Sequence, residues 1–436
     1  MTSAAAPQIH HDQENAMPEQ HAIDPGIDRI VREIAAVDDH AHPVPLEWEV
    51  PPNPDHPISP YDHPLPLRMR QTNPEYLDAW RALWGYEHDD FDDEHLRGLL
   101  ENKQRIQSEQ GEGYGAWVLD QVNIETMLAV DNLPQPAFPA PRFRWITFAD
   151  WLMWPVGATD QEGFTFQYRP LIEAAFEEAG IEGLPTTLAE YVQRVLEPEL
   201  ATRKNNGAVA VKFHTPYYRP INFAEVPEAQ AAELYRRAKE SGITNEEHRH
   251  LEDYLFAVIA RRAGELDLPV QMHTGQGPRR HFQNQGSNPL LMEPAVVAAP
   301  DTKFLMLHAG WPFDQQAVAS LSHDNVFLDI SCATVHLYGR NLASIIRDAL
   351  EWFPEKILYG TDAYSDIALA FLSNTDPRSN FLQGWEEKAW LLDRTAREAT
   401  AMALTDMMRD RVIGSDDVER LARMVLRDNA TQLYRL

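Results

Sequence analysis

The sequence holds one cysteine, Cys332, which excludes an internal disulfide framework and fits a reducing compartment, so the cytoplasm is the expected location. Nowhere do about 20 apolar residues run uninterrupted, and no membrane-spanning helix is expected. Basic residues are scarce: 38 Lys and Arg stand against 67 Asp and Glu, a formal charge of −29. Nucleic acid and anionic membranes would be repelled by that field, which leaves a small-molecule substrate as the expected partner. The opening "MTSAAAPQIHHDQENAMPEQ" lacks the basic start and apolar stretch of a secretory signal, and residues 1–25 are expected to form a disordered arm. No glycine-rich loop follows any apolar run, which weighs against an open doubly wound sheet that cradles phosphate.

What the chain does have is alternation. Eight β-like runs stand out: "IAAVDDHAH" (34–42), "NIETMLAVDNL" (123–133), "FRWITFADWL" (143–152), "GAVAVKFHT" (207–215), "LPVQMHTG" (268–275), "TKFLMLHAG" (302–310), "NVFLDIS" (325–331) and "KILYGTDAY" (356–364). Helical patterns separate most of them. Thr244 and Glu247 have capping-box spacing ahead of a stripe of Leu251, Leu255, Val258 and Arg262, and Asn288 with Pro289 reads as a cap and first helical residue. Strands alternating with helices call for a parallel sheet, and eight repeats call for a closed TIM (β/α)8 barrel. Residues 26–436 are expected to form that single domain. Residues 43–119 and 153–195 interrupt it as insertions, the first expected to act as a lid or as the contact of a homo-oligomer.

Polar residues recur where these runs end. In "AVDDHAHPVP" (36–45), period-2 geometry puts His40 and His42 on one face, which is half of a metal site. A polar turn rich in His and Asp explains that stretch equally well by itself. It does not explain Lys212 and His214 after the fourth run, His273 after the fifth, His308 after the sixth and Asp362 after the eighth. In a barrel these tips meet on the face where active sites of this fold are built.

The ordered set "DDHAH", "VKFH", "VQMHTG", "MLHAG" and "YGTDA" resembles the metal-dependent amidohydrolase superfamily, in particular its amidohydrolase-related branch and the amidohydrolase half of FluG-type proteins. The likeness spans roughly residues 30–436 outside the insertions. It implies that His40, His42 and His273 bind a divalent metal, and that Asp362 touches the metal and carries a proton. It places His308 beside the metal, as ligand of a second ion or as a polariser of substrate. Lys212 matches the position that is a carbamylated, bridging lysine in two-metal members, so one or two ions are expected. Imidazoles and a carboxylate suit zinc, with manganese or iron as alternatives.

On the loop after Lys212, Tyr218 and Arg219 are candidate substrate contacts, Arg219 through a bidentate grip on a carboxylate; an ion pair on an acidic protein is the competing explanation. His214 is expected to flank the site and Trp311 to wall the pocket. Arg279, Arg280 and His281 form a local basic cluster suited to steering anions, and Cys332 is expected to be a core thiol. The leading function is hydrolysis of an amide, ester or lactone of a small acid. Alternatives are a decarboxylase or C–C lyase on the same ligands, an isomerase of sugar acids, and a non-catalytic scaffold.

Overall fold

A computed structural model of the chain describes residues 22–45, 67–70, 72–157, 168–277, 282–365 and 383–436. Among them one strand follows each run: β1 (Ala36–Ala41), β2 (Ile124–Asp131), β3 (Phe143–Phe148), β4 (Ala208–Phe213), β5 (Val270–Met272), β6 (Phe304–Met306), β7 (Val326–Asp329) and β8 (Ile357–Leu358). They lie in sequence order in one parallel sheet. Its two edges meet just past β8. Asp39 N–H donates to Tyr359 O at 3.1 Å, Asp362 N–H to His40 O at 2.7 Å and His42 N–H to Ala363 O at 2.7 Å. The sheet closes into a TIM barrel.

The strands read as near-continuous apolar runs because both faces are covered; every residue of β4 is buried. Outside β4 runs the helix Asn245–Glu265, opened by the Thr244–Glu247 capping box and burying Leu251, Leu255 and Val258. Its Phe256 meets Phe213 of β4 at 5.0 Å between ring centroids. Asn288 caps the turn that starts at Pro289, its side chain accepting from Leu290 N–H.

The last residues of the expected arm belong to the fold: Asp24 caps the helix Pro25–Glu33, accepting from Gly26 N–H at 2.8 Å and Ile27 N–H at 3.1 Å. The rest of the expected arm, residues 1–21, lies outside the described residues.

The described part of the first insertion carries the helices Glu75–Trp84, Asp93–Gln110 and Tyr114–Gln121, the last of which leads into β2. These clad the flank of the barrel against the helix Trp385–Arg409. Lys103 Nζ sits 3.1 Å from both Glu386 Oε2 and Glu387 Oε2, all three side chains at most 1% exposed. Tyr114 donates to Glu386 at 2.6 Å and Trp84 Nε1 to Glu387 at 2.7 Å. Arg68 reaches the loop after β7, donating to Thr334 O at 2.6 Å and Leu337 O at 3.0 Å. The second insertion brings Trp154 and Tyr168 together, 5.6 Å between centroids.

Lys103→Met should remove the cation between two buried carboxylates. Breaking such a pair costs about 3–5 kcal/mol, and the low end is expected, because burial already raises Glu387 to about 7 and lets it take a proton. Urea unfolding at pH 8 measures it; an unchanged midpoint would show that the insertion is held by apolar packing alone.

Candidate metal centre

His40 and His42 leave β1 through an irregular stretch, where pairing with β2 shifts between Asp38 and Ala41. Such bulges re-aim side chains. The two rings stand edge-on, 5.1 Å between centroids, and their Nε2 atoms lie 3.4 Å and 3.5 Å from Asp362 Oδ1. Ligand atoms of His40, His42 and Asp362 all fall within 4.8 Å of one another, and so do those of His308, Cys332 and Asp362. Lys212 Nζ is 3.4 Å from His40 Nε2, and His308 Nε2 is 3.0 Å from His273 Nδ1. The structure thus gathers His40, His42, Lys212, His273, His308 and Asp362 at one mouth of the barrel. His273 stands one ring behind His308 rather than within the first triad.

A second layer fixes these side chains. Gln271 donates its amide to Asp39 O at 2.9 Å and to Tyr434 Oη at 2.8 Å, which leaves its Oε1 to accept from His40 Nδ1 at 2.8 Å. That network assigns the proton to Nδ1 and turns the Nε2 lone pair toward Asp362. Gln276 O, an acceptor only, lies 3.2 Å from His273 Nε2, so His273 carries its proton there and Nδ1 accepts from His308 Nε2. Ser331 Oγ, 2.9 Å from His308 Nδ1, can donate or accept and tolerates either tautomer. Asp329 accepts from His308 N–H at 2.7 Å and Ser331 N–H at 2.9 Å. Asp38 accepts from Thr361 N–H at 2.9 Å and its hydroxyl at 2.5 Å. Gly360 is required between them: a Cβ there would come 2.5 Å from Asp39 Oδ1 and 2.7 Å from Asp329 Oδ2.

Burial governs the protonation states. Desolvation pushes His40, His273 and His308 well below the usual imidazole range, with the Lys212 charge adding to it, and brings His42 down to about 3. Neutral imidazoles are what a metal needs, since no proton competes for the lone pair. Burial lowers Lys212 to about 8 against the pull of Asp362, and it raises Asp362 even though His42 and Lys212 act the other way. Asp38 is pushed up to about 7 by the same desolvation. Asp39 is raised by burial and by Asp329 beside it, so this pair holds on to a proton. The donor set fits a divalent cation: neutral nitrogens, one carboxylate and orientation by bonds behind the ligands.

Several expectations change. Arg219 does not face the mouth. It is 4% exposed and its guanidinium pairs with Glu252 at 3.0 Å and Asp253 at 2.5 Å, so it is a buried structural ion pair and not a substrate grip. Tyr218 donates to Asp150 at 2.8 Å and packs edge-on against Trp154, 4.9 Å between centroids. His214 Nδ1 lies 2.9 Å from Asp150 Oδ2, with Phe148 between its ring and that of His42. Asp150, which sequence reasoning missed, thus organises the loop after β4. Trp311 stacks on His336, 5.0 Å between centroids. Cys332 is only partly the expected core thiol: it is half-buried, packs on the cluster of Val335, Leu391 and Leu392, and holds its Sγ within 4.8 Å of an Asp362 oxygen. It follows the seventh run directly, so the positional rule that found the other tips would have found it. Arg279, Arg280 and His281 lie outside the described residues.

The family model for amidohydrolase matches residues 150–436. The chain belongs to the amidohydrolase family. It is an enzyme of that superfamily on a metal-binding scaffold. Protein fluG of Emericella nidulans is 24% identical over 179 residues, 41% of this chain but 18% of that protein, so the match spans under a fifth of its length. Among solved structures, a protein assigned as a metal-dependent hydrolase from Lactobacillus casei superposes with TM-score 0.64 at 17% identity, covering 95% of this chain and 98% of its own. Glucuronate isomerase from Caulobacter crescentus gives 0.65 at 12%, covering 98% and 97%. At such identities the likeness is one of fold.

In the metal-free protein His42 should stay neutral until about pH 3, against an ordinary value of 6.5. Because the folded value is the lower one, the unfolded chain binds more protons between these limits. This group's contribution to stability is therefore complete above 6.5 and lost as the pH falls toward 3. Imidazole NMR resonances report it directly; a midpoint near 6.5 would show that this partly exposed ring keeps its ordinary hydration.

Proposed function

We propose that the chain is a metal-dependent hydrolase that cleaves an amide, ester or lactone bond of a small carboxylate-bearing substrate. The observation that carries this reading is the convergence of two neutral imidazoles, His40 and His42, on Asp362. Zinc is the favoured ion, with manganese or iron as alternatives. A divalent ion in this position supplies Lewis acidity, activating water near neutral pH and polarising the scissile carbonyl.

The chain's own residues do the rest. Asp362 is the proton carrier: burial raises its pKa, which suits a carboxylate that accepts a proton from the nucleophile and returns it to the leaving group. Lys212, lowered only to about 8, is largely an ammonium at pH 7. As the cation inside the mouth, it takes the substrate-carboxylate role that Arg219 cannot fill, in preference to a bridging carbamate. His308, in contact with His273, stands beside the ion, placed to polarise the substrate or to hold a second cation. Tyr218 and Trp311 shape the walls, and His214 backs them through Asp150.

Metal analysis of protein purified without chelator, followed by assay on N-acyl amino acids, esters, lactones and small acids that can release CO2, tests the reading. Bound zinc, manganese or iron and turnover of the first three classes are expected. No metal, with no rescue by any of these ions, would refute it, and CO2 release alone would favour decarboxylation. Asp362→Asn keeps the volume but cannot take a proton. It should lower kcat by ~10²–10⁴-fold while the circular dichroism spectrum is kept; full activity would remove Asp362 from the chemistry.

A further inference from the structure

The only cysteine of the chain stands at a strand tip among polar groups. Cys332 follows β7 by three residues, and its Sγ lies within 4.8 Å of the ligand atoms of both His308 and Asp362. It also sits 3.8 Å from His336 Nε2. One side of Cys332 packs on the apolar cluster of Val335, Leu391 and Leu392; the sulfur's other neighbours are a carboxylate and two imidazoles.

The three groups also share a backbone peculiarity. His308, Cys332 and Asp362 come from the ends of three different strands, and each holds a positive φ, 68°, 42° and 54°. Non-glycine residues adopt that region reluctantly, and such outliers cluster where side chains must be aimed at a common point. The resulting triad meets the triad of His40, His42 and Asp362 at one shared carboxylate. A carboxylate has two oxygens with lone pairs in different directions, enough to serve a cation on each side.

Resting on the metal reading above, we propose that Cys332 is a metal ligand: with His308 and Asp362 it forms a second cation position, bridged through Asp362 to the position of His40 and His42. On binding, the thiol proton leaves to solvent and the sulfur coordinates as thiolate, with no change of oxidation state. His308 Nε2 gives up its proton and its bond to His273 Nδ1 and offers its lone pair to the cation, while Nδ1–H donates to Ser331, the alternative tautomer that the hydroxyl allows. A soft thiolate biases this second position toward zinc or cobalt and away from magnesium or manganese.

Cobalt substitution of the full chain tests the assignment. Because the protein has no other thiol, a thiolate-to-cobalt charge-transfer band in the near ultraviolet can come from Cys332 alone. The band should grow in during cobalt titration of metal-free protein. The thiol should react with a disulfide reagent before loading, resist it afterwards, and react again once a chelator removes the metal. Cys332→Ser should bind fewer ions per chain and show no band. If that variant fails to fold, the spectrum and thiol protection of the wild type decide the matter unaided. Cobalt bound without the band, or a thiol equally reactive with and without metal, overturns the role of Cys332 and leaves the hydrolase reading standing. No cobalt binding by the wild type overturns both.

Discussion

Two backbone hydrogen bonds across the seam between β1 and β8 hold the rest of the mouth in place. Asp362 N–H to His40 O and His42 N–H to Ala363 O, each 2.7 Å, close the barrel and set the Asp362 carboxylate against both imidazoles. The same bonds that remove the sheet's free edges therefore define the candidate site. A slip of one residue in this register would turn Asp362 to the other face and leave the two rings without their carboxylate. Gly360 and Thr361 lock the register from the eighth strand, one by letting Asp39 and Asp329 approach, the other through its bonds to Asp38.

Around this seam, burial sets charge. The mouth packs imidazoles, carboxylates and an amine where water is largely excluded, and each group moves toward its neutral form for that reason. Two buried cations, one at the mouth and one away from it, show the contrast. Arg219, which cannot give up its charge, is neutralised in full by Glu252 and Asp253. Lys212, lowered to about 8, is kept as a charge that the neighbourhood can adjust. The layer behind, Gln271, Asp329, Ser331 and Asp38, supplies hydrogen bonds to His40, His308 and Thr361, whose burial would otherwise be penalised.

The eight runs were legible because strands covered on both faces read as uninterrupted apolar stretches, and the tips were legible because ligands stood out at their ends. His40, His42, Lys212, His273, His308 and Asp362 needed nothing more than that positional rule. Arg219 misled because sequence shows a cation but not its partners, and Glu252 and Asp253 stand more than thirty residues away. Cys332 reads as a core thiol because a lone cysteine has no sequence partner, although it obeys the same rule as its neighbours. Asp150 and Gln271 left no usable signal: one sits in a turn after β3 and the other inside β5, and both act only through contacts across strands.

Tyr434 lends this design a temporal side. Its hydroxyl accepts from Gln271 and donates to Asp39, a partner 395 residues away in sequence, and Gln271 is what orients His40. A ribosome delivers the first-strand histidines early, but the groups that aim and complement them emerge only after nearly everything else. Contacts of such long sequence separation form late, since loop closure must come first. During synthesis the two histidines of the first strand thus wait for their orienting partners until the barrel has shut.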